Sequence, residues 1–282
     1  MTPECRISVL ERTDVEQAFE LSEAEGWNQT RADWLRLLAY EPLGCFVARV
    51  GEKLVGTVTT TVYGAELAWI GMMLVRPEYR GHGLGRRLMR TARDYLKHCG
   101  VTTVKLDATP LGQPLYTDFG FVPEIRIERW EGIAVRCDHP GLAGDHNKAA
   151  LYQLDREEFG IDRSRMLNLL IDQCLLSPSV ATSKEEMVRG FALARSGARA
   201  TYLGPVIASE PALTTELVDR ALGQLAGETV YVDFHSGFSG ESSILLNRGF
   251  VKQRDLVRMF WGRPNSLGAS PAIFAIGGPE IG

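Results

Sequence analysis

The 282-residue sequence predicts a mixed α/β protein, a sheet with antiparallel hairpins flanked by helices and built twice in tandem. Three observations carry this expectation. Apolar, β-branched runs of strand length alternate with segments of helical period. The length, at roughly 150 residues per domain, accommodates two domains. Four short patterns also recur in the same order. Leu54-Val55-Gly56 is answered by Val188-Arg189-Gly190, Trp69-Ile70-Gly71 by Tyr202-Leu203-Gly204, Thr103-Val104-Lys105-Leu106-Asp107 by Thr229-Val230-Tyr231-Val232-Asp233, and Gly120-Phe121 by Gly249-Phe250. Their offsets are 134, 133, 126 and 129 residues.

Along the first half, a strand is expected over residues 6–10, a helix from an Asp14 cap to about residue 24, and a second helix over 31–39. Runs over 45–50 and 54–63 flank the turn Gly51-Glu52-Lys53 as a hairpin, and 67–75 follows as a longer apolar strand ended by Pro77. Leu84, Leu88, Ala92, Tyr95 and Cys99 mark an amphipathic helix lying on that sheet. A strand over 103–108, a short helix over 114–118 and a strand from 121 to about 130 complete the unit. Turn-rich sequence around Cys137-Asp138-His139-Pro140-Gly141 and Gly144-Asp145-His146-Asn147 reads as a linker. The expected organisation is a first unit over 1–132, a linker over 133–149 and a second unit over 150–282. The second unit keeps strand-like runs over 190–194 and 229–234, a helix through Leu213, Leu217, Ala221 and Leu225, and a last apolar strand over 272–276.

Composition excludes several classes. With 45% hydrophobic and 23% charged residues the chain is too apolar for disorder. Its longest apolar stretch apart from glycine, 69–75, is far short of the roughly 20 residues of a spanning helix. The opening residues show no signal-peptide layout, so a cytoplasmic protein with no membrane partner is expected. Five scattered cysteines form no C-x-x-C pair and read as reduced thiols. A balance of 31 basic to 35 acidic residues argues against nucleic-acid binding. Residues 76–97, however, hold seven basic residues against Glu78 and Asp94, which suits either a solvated helix face or a nearby anion.

The chemical signal lies where the apolar strand meets the amphipathic helix, at Arg80-Gly81-His82-Gly83-Leu84-Gly85-Arg86-Arg87. Glycines let backbone N–H groups point inward at a helix N-terminus, where unpaired donors and the dipole favour an anion such as a pyrophosphate. The spacing is neither the Rossmann fingerprint nor a P-loop. Arg80, Arg86 and Arg87 supply the charge that distinguishes such a nest from a plain strand-to-helix turn.

At these residues the sequence resembles the GNAT superfamily of acetyl-CoA-dependent N-acetyltransferases, whose loop reads Arg/Gln-x-x-Gly-x-Gly/Ala after a strand ending in Val-x-Pro. Arg80, Gly83 and Gly85 fill those positions, and Leu115-Tyr116-Thr117-Asp118-Phe119-Gly120-Phe121 is similar to the second signature, a Tyr four residues before Gly-Phe. The resemblance covers roughly residues 5–130, and the whole chain looks more weakly like bacterial two-domain acetyltransferases with a degenerate second copy. It implies a GNAT-like splayed sheet, acetyl-CoA as co-substrate and no metal. It further implies that the backbone of Met73, Leu74 and Val75 pairs with the pantetheine arm, while Arg80, Gly81, His82, Gly83, Leu84, Gly85 and Arg86 hold the pyrophosphate. By the same analogy the N–H near Leu74 polarises the acetyl carbonyl, and Tyr116 is the general acid toward the leaving sulfur; a Tyr116 that only anchors the Gly120-Phe121 turn is the bland alternative.

An alkylammonium of pKa about 10 must lose a proton before it attacks a thioester, so a base or a water path is needed. Glu66, at the entrance of the strand ending at Val75, and Asp107, at the end of the next strand, could both face the gap where those strands part, although strand-end carboxylates also serve as turn formers and caps. The acceptor pocket is expected near Gly26-Trp27-Asn28, with Trp27 and Asn28 as contacts and Trp34 as either a wall or a core residue. The expected function is transfer of an acetyl group to a primary amine of a small-molecule or amino-acid-like acceptor, by direct attack in a ternary complex. The alternatives are a protein lysine or N-terminal acetyltransferase, and a CoA-binding sensor without turnover.

The second half is expected to be silent. Its counterpart of the loop, 209–216, has no glycine or arginine but adds Glu210 and Glu216, and Leu245 stands at the position of Tyr116. Cys137, His139, Asp145 and His146 match no zinc spacing, and Gly237-Phe238-Ser239-Gly240 does not satisfy Gly-x-Ser-x-Gly.

Overall fold

One twelve-stranded sheet runs through both halves of the computed structural model, which describes residues 5–136, 148–183, 187–238, 240 and 242–282. The first half contributes β1 (Arg6–Val9), α1 (Val15–Ala24), α2 (Arg31–Tyr40), β2 (Phe46–Val50), β3 (Lys53–Tyr63), β4 (Leu67–Val75), α3 (Leu84–His98), β5 (Thr103–Ala108), α4 (Gln113–Asp118) and β6 (Val122–Ile133). The second contributes α5 (Lys148–Phe159), α6 (Ser164–Ile171), β7 (Ser179–Thr182), β8 (Val188–Arg195), β9 (Thr201–Ala208), α7 (Pro211–Gln224), β10 (Thr229–His235), α8 (Ser243–Leu246), β11 (Val251–Gly262) and β12 (Ile273–Ala275). From β3 onward the halves repeat element for element, β3 to β6 being matched by β8 to β11. Strand β6 runs on to Ile133, into the expected linker, and α5 begins at Lys148, also inside it. Cys137, His139, Asp145, His146 and Ser239 lie outside the described residues.

The strand order, β1-β2-β3-β4-β5-β11-β6-β10-β12-β9-β8-β7, shows that the halves exchange their long last strands. Strand β11 pairs antiparallel with β5, β6 pairs antiparallel with β10, and the two meet at the centre. Each exchange is marked by a buried ion pair between residues directly opposite in register. Arg258 binds Asp107 through Nε and Nη2 at 2.8 and 2.9 Å, and Arg129 binds Asp233 through the same atoms at 2.7 and 2.6 Å. These are counterparts in the repeat, so the carboxylate of each copy is answered by the guanidinium of the other. Bidentate geometry and full burial make such pairs strongly directional.

Helices α1, α2, α5 and α6 cover one face of the sheet over a core shared by the halves, which includes Trp34, Trp69, Ile127, Phe159, Phe191, Leu256 and Ile281. On the other face α3 packs over β2 to β5 through Leu84, Leu88, Ala92 and Leu96, and α7 over the second half through Leu217, Val218 and Ala221. Both helices show the apolar spacing read from sequence. The capping box of α2, with Thr30 N donating to Asp33 Oδ2 at 2.7 Å and Asp33 N to Thr30 Oγ1 at 3.3 Å, fixes the loop that carries Trp27 and Gln29.

Within each half the sheet splays. Strands β4 and β5 pair in parallel only at Ala68–Val104 and Trp69–Lys105, and β9 and β10 only at Thr201–Val230 and Tyr202–Tyr231. In the second half β12 enters this gap, pairing with β9 at Ile207 and Val206 and with β10 at Phe234. The expected last strand therefore plugs the second gap, where Phe274 stacks edge-on against Phe234 and Phe238 with centroids 5.4 and 5.2 Å away. The chain then crosses to the first half, where Trp69 Nε1 donates to Pro279 O at 3.1 Å and Tyr63 Oη to Ile281 O at 2.8 Å. Glycine is needed at both crossings: a Cβ on Gly204 would stand 2.2 Å from Ile276 O, and one on Gly71 2.8 Å from the Glu280 backbone. Phe274→Ala should destabilise the whole chain by about 3–5 kcal/mol, measurable by chemical denaturation, because it empties a fully buried aromatic site.

Candidate active site

The gap between β4 and β5 stays open as a cleft of about 650 Å³. Met73, Leu74 and Val75 line it along β4, and Arg80, Gly81, Gly83, Leu84, Gly85 and Arg86 close one end. His82 does not line the cleft; it is exposed, with Nδ1 2.7 Å from Arg80 O. Gly81 and Gly83 hold φ of 76° and 77°, and a Cβ on either would meet nothing within 4 Å, so the turn is left-handed and open. Gly83 is the N-cap of α3 and offers no side chain to the first-turn amides, which leaves those N–H groups facing the cleft end. The arginines already touch carboxylates at the rim, Arg80 with Glu25 and Arg86 with Asp118. The Arg86 pair is exposed and the Arg80 pair partly so, and pairs of this kind contribute little and yield to a stronger anion.

Strand β4 is irregular at the cleft. Thr57 faces Leu74 and Thr59 faces Gly71, so that two residues, Met72 and Met73, stand opposite Val58 alone. Met72 adopts φ 46° and its carbonyl accepts from Thr57 Oγ1 at 2.7 Å. Such a bulge leaves an extra residue of β4 out of the ladder with β3 at the point where the cleft begins.

Tyr116 lies in α4 at the cleft wall, on the same face of the sheet as α3. The Tyr-x-x-x-Gly-Phe spacing closes the end of α4, because Phe119 N and Phe121 N both donate to Tyr116 O at 3.0 Å. The ring packs edge-on against Phe121 at 6.2 Å, burial pushes the phenol up, and the hydroxyl bonds to no described residue. Anchoring the turn and presenting a protonated hydroxyl are thus two uses of one residue.

Several sequence-predicted residues fall elsewhere. Asp107 borders the cleft, but both its oxygens are engaged by Arg258, which stacks over Trp69 with its guanidinium carbon 4.5 Å from the ring centroid. Its counterpart Asp233 does the same in the half whose gap is plugged, which marks a structural duty. Glu66 is exposed in the turn before β4, at the far end of that strand from Val75, and does not line the cleft. Trp27 does line it. Asn28 faces away: its Oδ1 accepts from Arg199 N and Ala200 N at 2.9 and 3.0 Å and its Nδ2 donates to Ala200 O at 3.0 Å, clamping the loop between β8 and β9. Trp34 is fully buried core, donating to Ser22 Oγ at 3.2 Å.

Sequence reading missed the cleft residues from the second half: Arg254 and Leu256 on β11, and Pro279 and Glu280 after β12. Glu280 is buried in a cluster with Arg36, Asp33 and Arg195. Its Oε2 accepts from Gln29 Nε2 at 2.9 Å, while Oε1 lies 3.6 Å from Arg36 Nη2 and 3.8 Å from Arg195 Nη2 without a hydrogen bond. Burial pushes the Glu280 carboxyl up, and the Arg195 and Arg36 guanidiniums oppose that shift.

Residues 11–121 match the Acetyltransferase (GNAT) family, and residues 151–275 match the Acetyltransferase (GNAT) domain. The chain therefore belongs to the GNAT acetyltransferases, carries two such domains in tandem and is an acyltransferase; the family uses acetyl-CoA as donor and amines as acceptors. The holothin acyltransferase of Pseudoalteromonas sp. (strain SANK 73390) is 28% identical over 267 residues, covering 92% of this chain and 88% of that one. An uncharacterised N-acetyltransferase of Bacillus subtilis (strain 168), YitH, is 23% identical over 245 residues, 84% of each chain. The crystal structure of a Pyrococcus horikoshii protein, a candidate acetyltransferase, shares the fold with a TM-score of 0.84 at 21% identity, over 99% of this chain and 96% of that one. Among the described residues no helix is long and apolar enough to cross a membrane. Asp107→Asn should cost about 3–5 kcal/mol of stability, read from the denaturation midpoint, by leaving Arg258 buried without its counter-charge. A loss of turnover at unchanged stability would instead mark Asp107 as the base.

Proposed function

We propose that the protein is an acetyl-CoA-dependent N-acetyltransferase that acylates a primary amine of a small-molecule or amino-acid-like acceptor by direct attack in a ternary complex. One observation carries this reading: a single cleft is bounded by an open glycine turn, an unpaired stretch of β4 and the Tyr116 hydroxyl. The unpaired amides of α3 with Arg80 and Arg86 suit a pyrophosphate, and the β4 edge at Met73, Leu74 and Val75 suits the amide groups of a pantetheine arm. A thioester seated there would lie between the bulge at Met72–Met73 and Tyr116. Acetyl-CoA supplies the activated acyl carbon; the protein positions it and manages protons.

In the transfer, a nitrogen–carbon bond forms and the carbon–sulfur bond breaks. An ammonium and a thioester give an amide, a thiol and one released proton. Backbone N–H groups of the β4 bulge stabilise the negative charge that gathers on the carbonyl oxygen. Tyr116 donates its proton to the leaving sulfur and is restored by a proton from the nitrogen. With Glu66 outside the cleft and Asp107 held by Arg258, a water path is the route favoured for the proton lost before attack. The cleft volume lies within the range of small-molecule sites, about 300–1,000 Å³, and must also hold the donor's arm, which favours a compact acceptor. A relative named as an acyltransferase of holothin supports a dedicated acceptor.

The second half is non-catalytic in this reading. Strand β12 fills its gap, Leu245 replaces the tyrosine, and Glu210 precedes α7 where an anion would bind. Its role is to complete the sheet and to wall the acceptor end.

Gly83→Glu should weaken acetyl-CoA binding by about 2 kcal/mol, near 30-fold, in calorimetry. Gly83→Ala carries the same left-handed strain without the charge and should lose less. Tyr116→Phe should keep acetyl-CoA affinity while turnover, followed by thiol release over an amine panel, falls roughly 10 to 1000 fold. Unchanged affinity in a folded Gly83→Glu variant removes the pyrophosphate assignment. Acetylation of peptides in place of free amines would shift the acceptor to protein lysines or N-termini, and binding without thiol release over either would make the protein a sensor.

A further inference from the structure

Among the guanidiniums at the cleft and beneath it, Arg254 stands apart because no carboxylate of the described residues is in contact with it. Arg80 has Glu25, Arg86 has Asp118, Arg258 has Asp107, Arg129 has Asp233, and Arg36 and Arg195 share Asp33 and Glu280. Arg254 makes no ion pair or hydrogen bond among the described residues, and its Nε is buried without a partner. It stands directly across from Arg129 in the β6–β11 register, and the carboxylate nearest to both, Asp233, is committed to Arg129 by two hydrogen bonds. Burial, with Arg129 adding to it, pushes the Arg254 guanidinium down to about 10, so it still carries its charge at neutral pH. Arg254 is half-buried, with a guanidinium that no carboxylate contacts, and a carboxylate or phosphate-type group is the partner that a guanidinium fork fits best.

Its place in the cleft says which substrate it would meet. From Arg254 to Arg258 the β11 register is uninterrupted, so Arg254, Leu256 and Arg258 share one face of the sheet. Arg258 stacks on Trp69, and Trp69 holds Pro279, which places that face on the side of α1, α2, Trp27 and the tail. Tyr116 and α3 pack on the opposite face. Donor-binding groups and Arg254 thus approach the β4–β5 gap from opposite sides.

We propose that Arg254 binds an anionic group of the acceptor, so that the acceptor is a zwitterion-like compound carrying a carboxylate or phosphonate-type group as well as the amine that is acetylated. This inference rests on the N-acetyltransferase reading above and narrows it. The half of the chain that has lost its own donor site then supplies the specificity determinant of the other half.

The test measures thiol release from acetyl-CoA by the full chain over α- and ω-amino acids, each beside its carboxamide and its aminophosphonate analogue. Acceptors with the anion should exceed their carboxamides in kcat/KM by about tenfold or more. Arg254→Gln should bring the two series to within about threefold of each other, mainly through KM, with acetyl-CoA affinity unchanged. The ranking of carboxylate against phosphonate identifies the anion. Because Arg254→Gln removes a half-buried charge that no carboxylate contacts, its melting temperature should equal or exceed that of the wild type. Equal use of carboxamides, or a variant that loses stability while keeping the preference, overturns the inference and leaves the N-acetyltransferase reading intact. No transfer to any amine, with acetyl-CoA still bound, overturns both.

Discussion

The two buried Asp–Arg pairs across the exchanged strands are the constraint on which the rest of the molecule depends. An aspartate in the middle of a sheet is tolerated only when both its oxygens are engaged, and here the engaging guanidinium comes from the other copy in each case. A slip of one residue would separate each pair and turn every side chain to the other face. The pairs therefore hold β11 against β5 and β6 against β10 in one register, and all that β11 carries into the first half follows from it. Leu256 and Arg254 reach the cleft because Arg258 is held at Asp107 two and four residues further along the strand.

With that frame fixed, two similar gaps acquire opposite fates. A parallel pair of strands that part after two contacts leaves backbone groups without partners, and these must be met by something. In the second half β12 meets them, and three phenylalanines seal the plug. In the first half the residues after β12 pass over Gly71 along the edge of the gap, tied by Trp69 and Tyr63. The loops match these fates. Open left-handed glycines with flanking arginines begin α3, whereas Glu210 and Pro211 begin α7. One half keeps an open cleft, and the other has filled its gap with its own strand.

Much of the first half was legible in the sequence because its signals are local. The period of Leu84, Leu88 and Ala92, the glycine spacing at 81–85 and the Tyr116 to Gly120 interval each lie within one element or turn. The repeat was legible too, since matched patterns need no knowledge of pairing. Helices α5 and α6 lie outside the expected elements, although Leu151 and Leu154, and Met166, Leu167 and Leu170, carry helical spacing. The acceptor side was not legible, for a physical reason: it depends on which strands become neighbours. Asp107 looks available because Arg258 lies 151 positions away, and Asn28 looks like a pocket residue because Arg199, in the loop it clamps, lies 171 positions later. Arg254 and Glu280 reach the cleft only through the strand exchange and the tail, which no local pattern announces.

The exchange also sets a clock on synthesis. Strand β5 ends at Ala108, but its neighbour is complete only at Gly262, and the cleft edge only at Glu280. At about 5–20 residues per second, a nascent chain waits on the order of ten seconds or more with the β5 edge bare and Asp107 unanswered. During that interval the first half is a sheet fragment with an open, apolar border, the kind of surface that other chains join. The time that translation takes between the two halves is therefore the time for which that edge stands exposed to association with other chains.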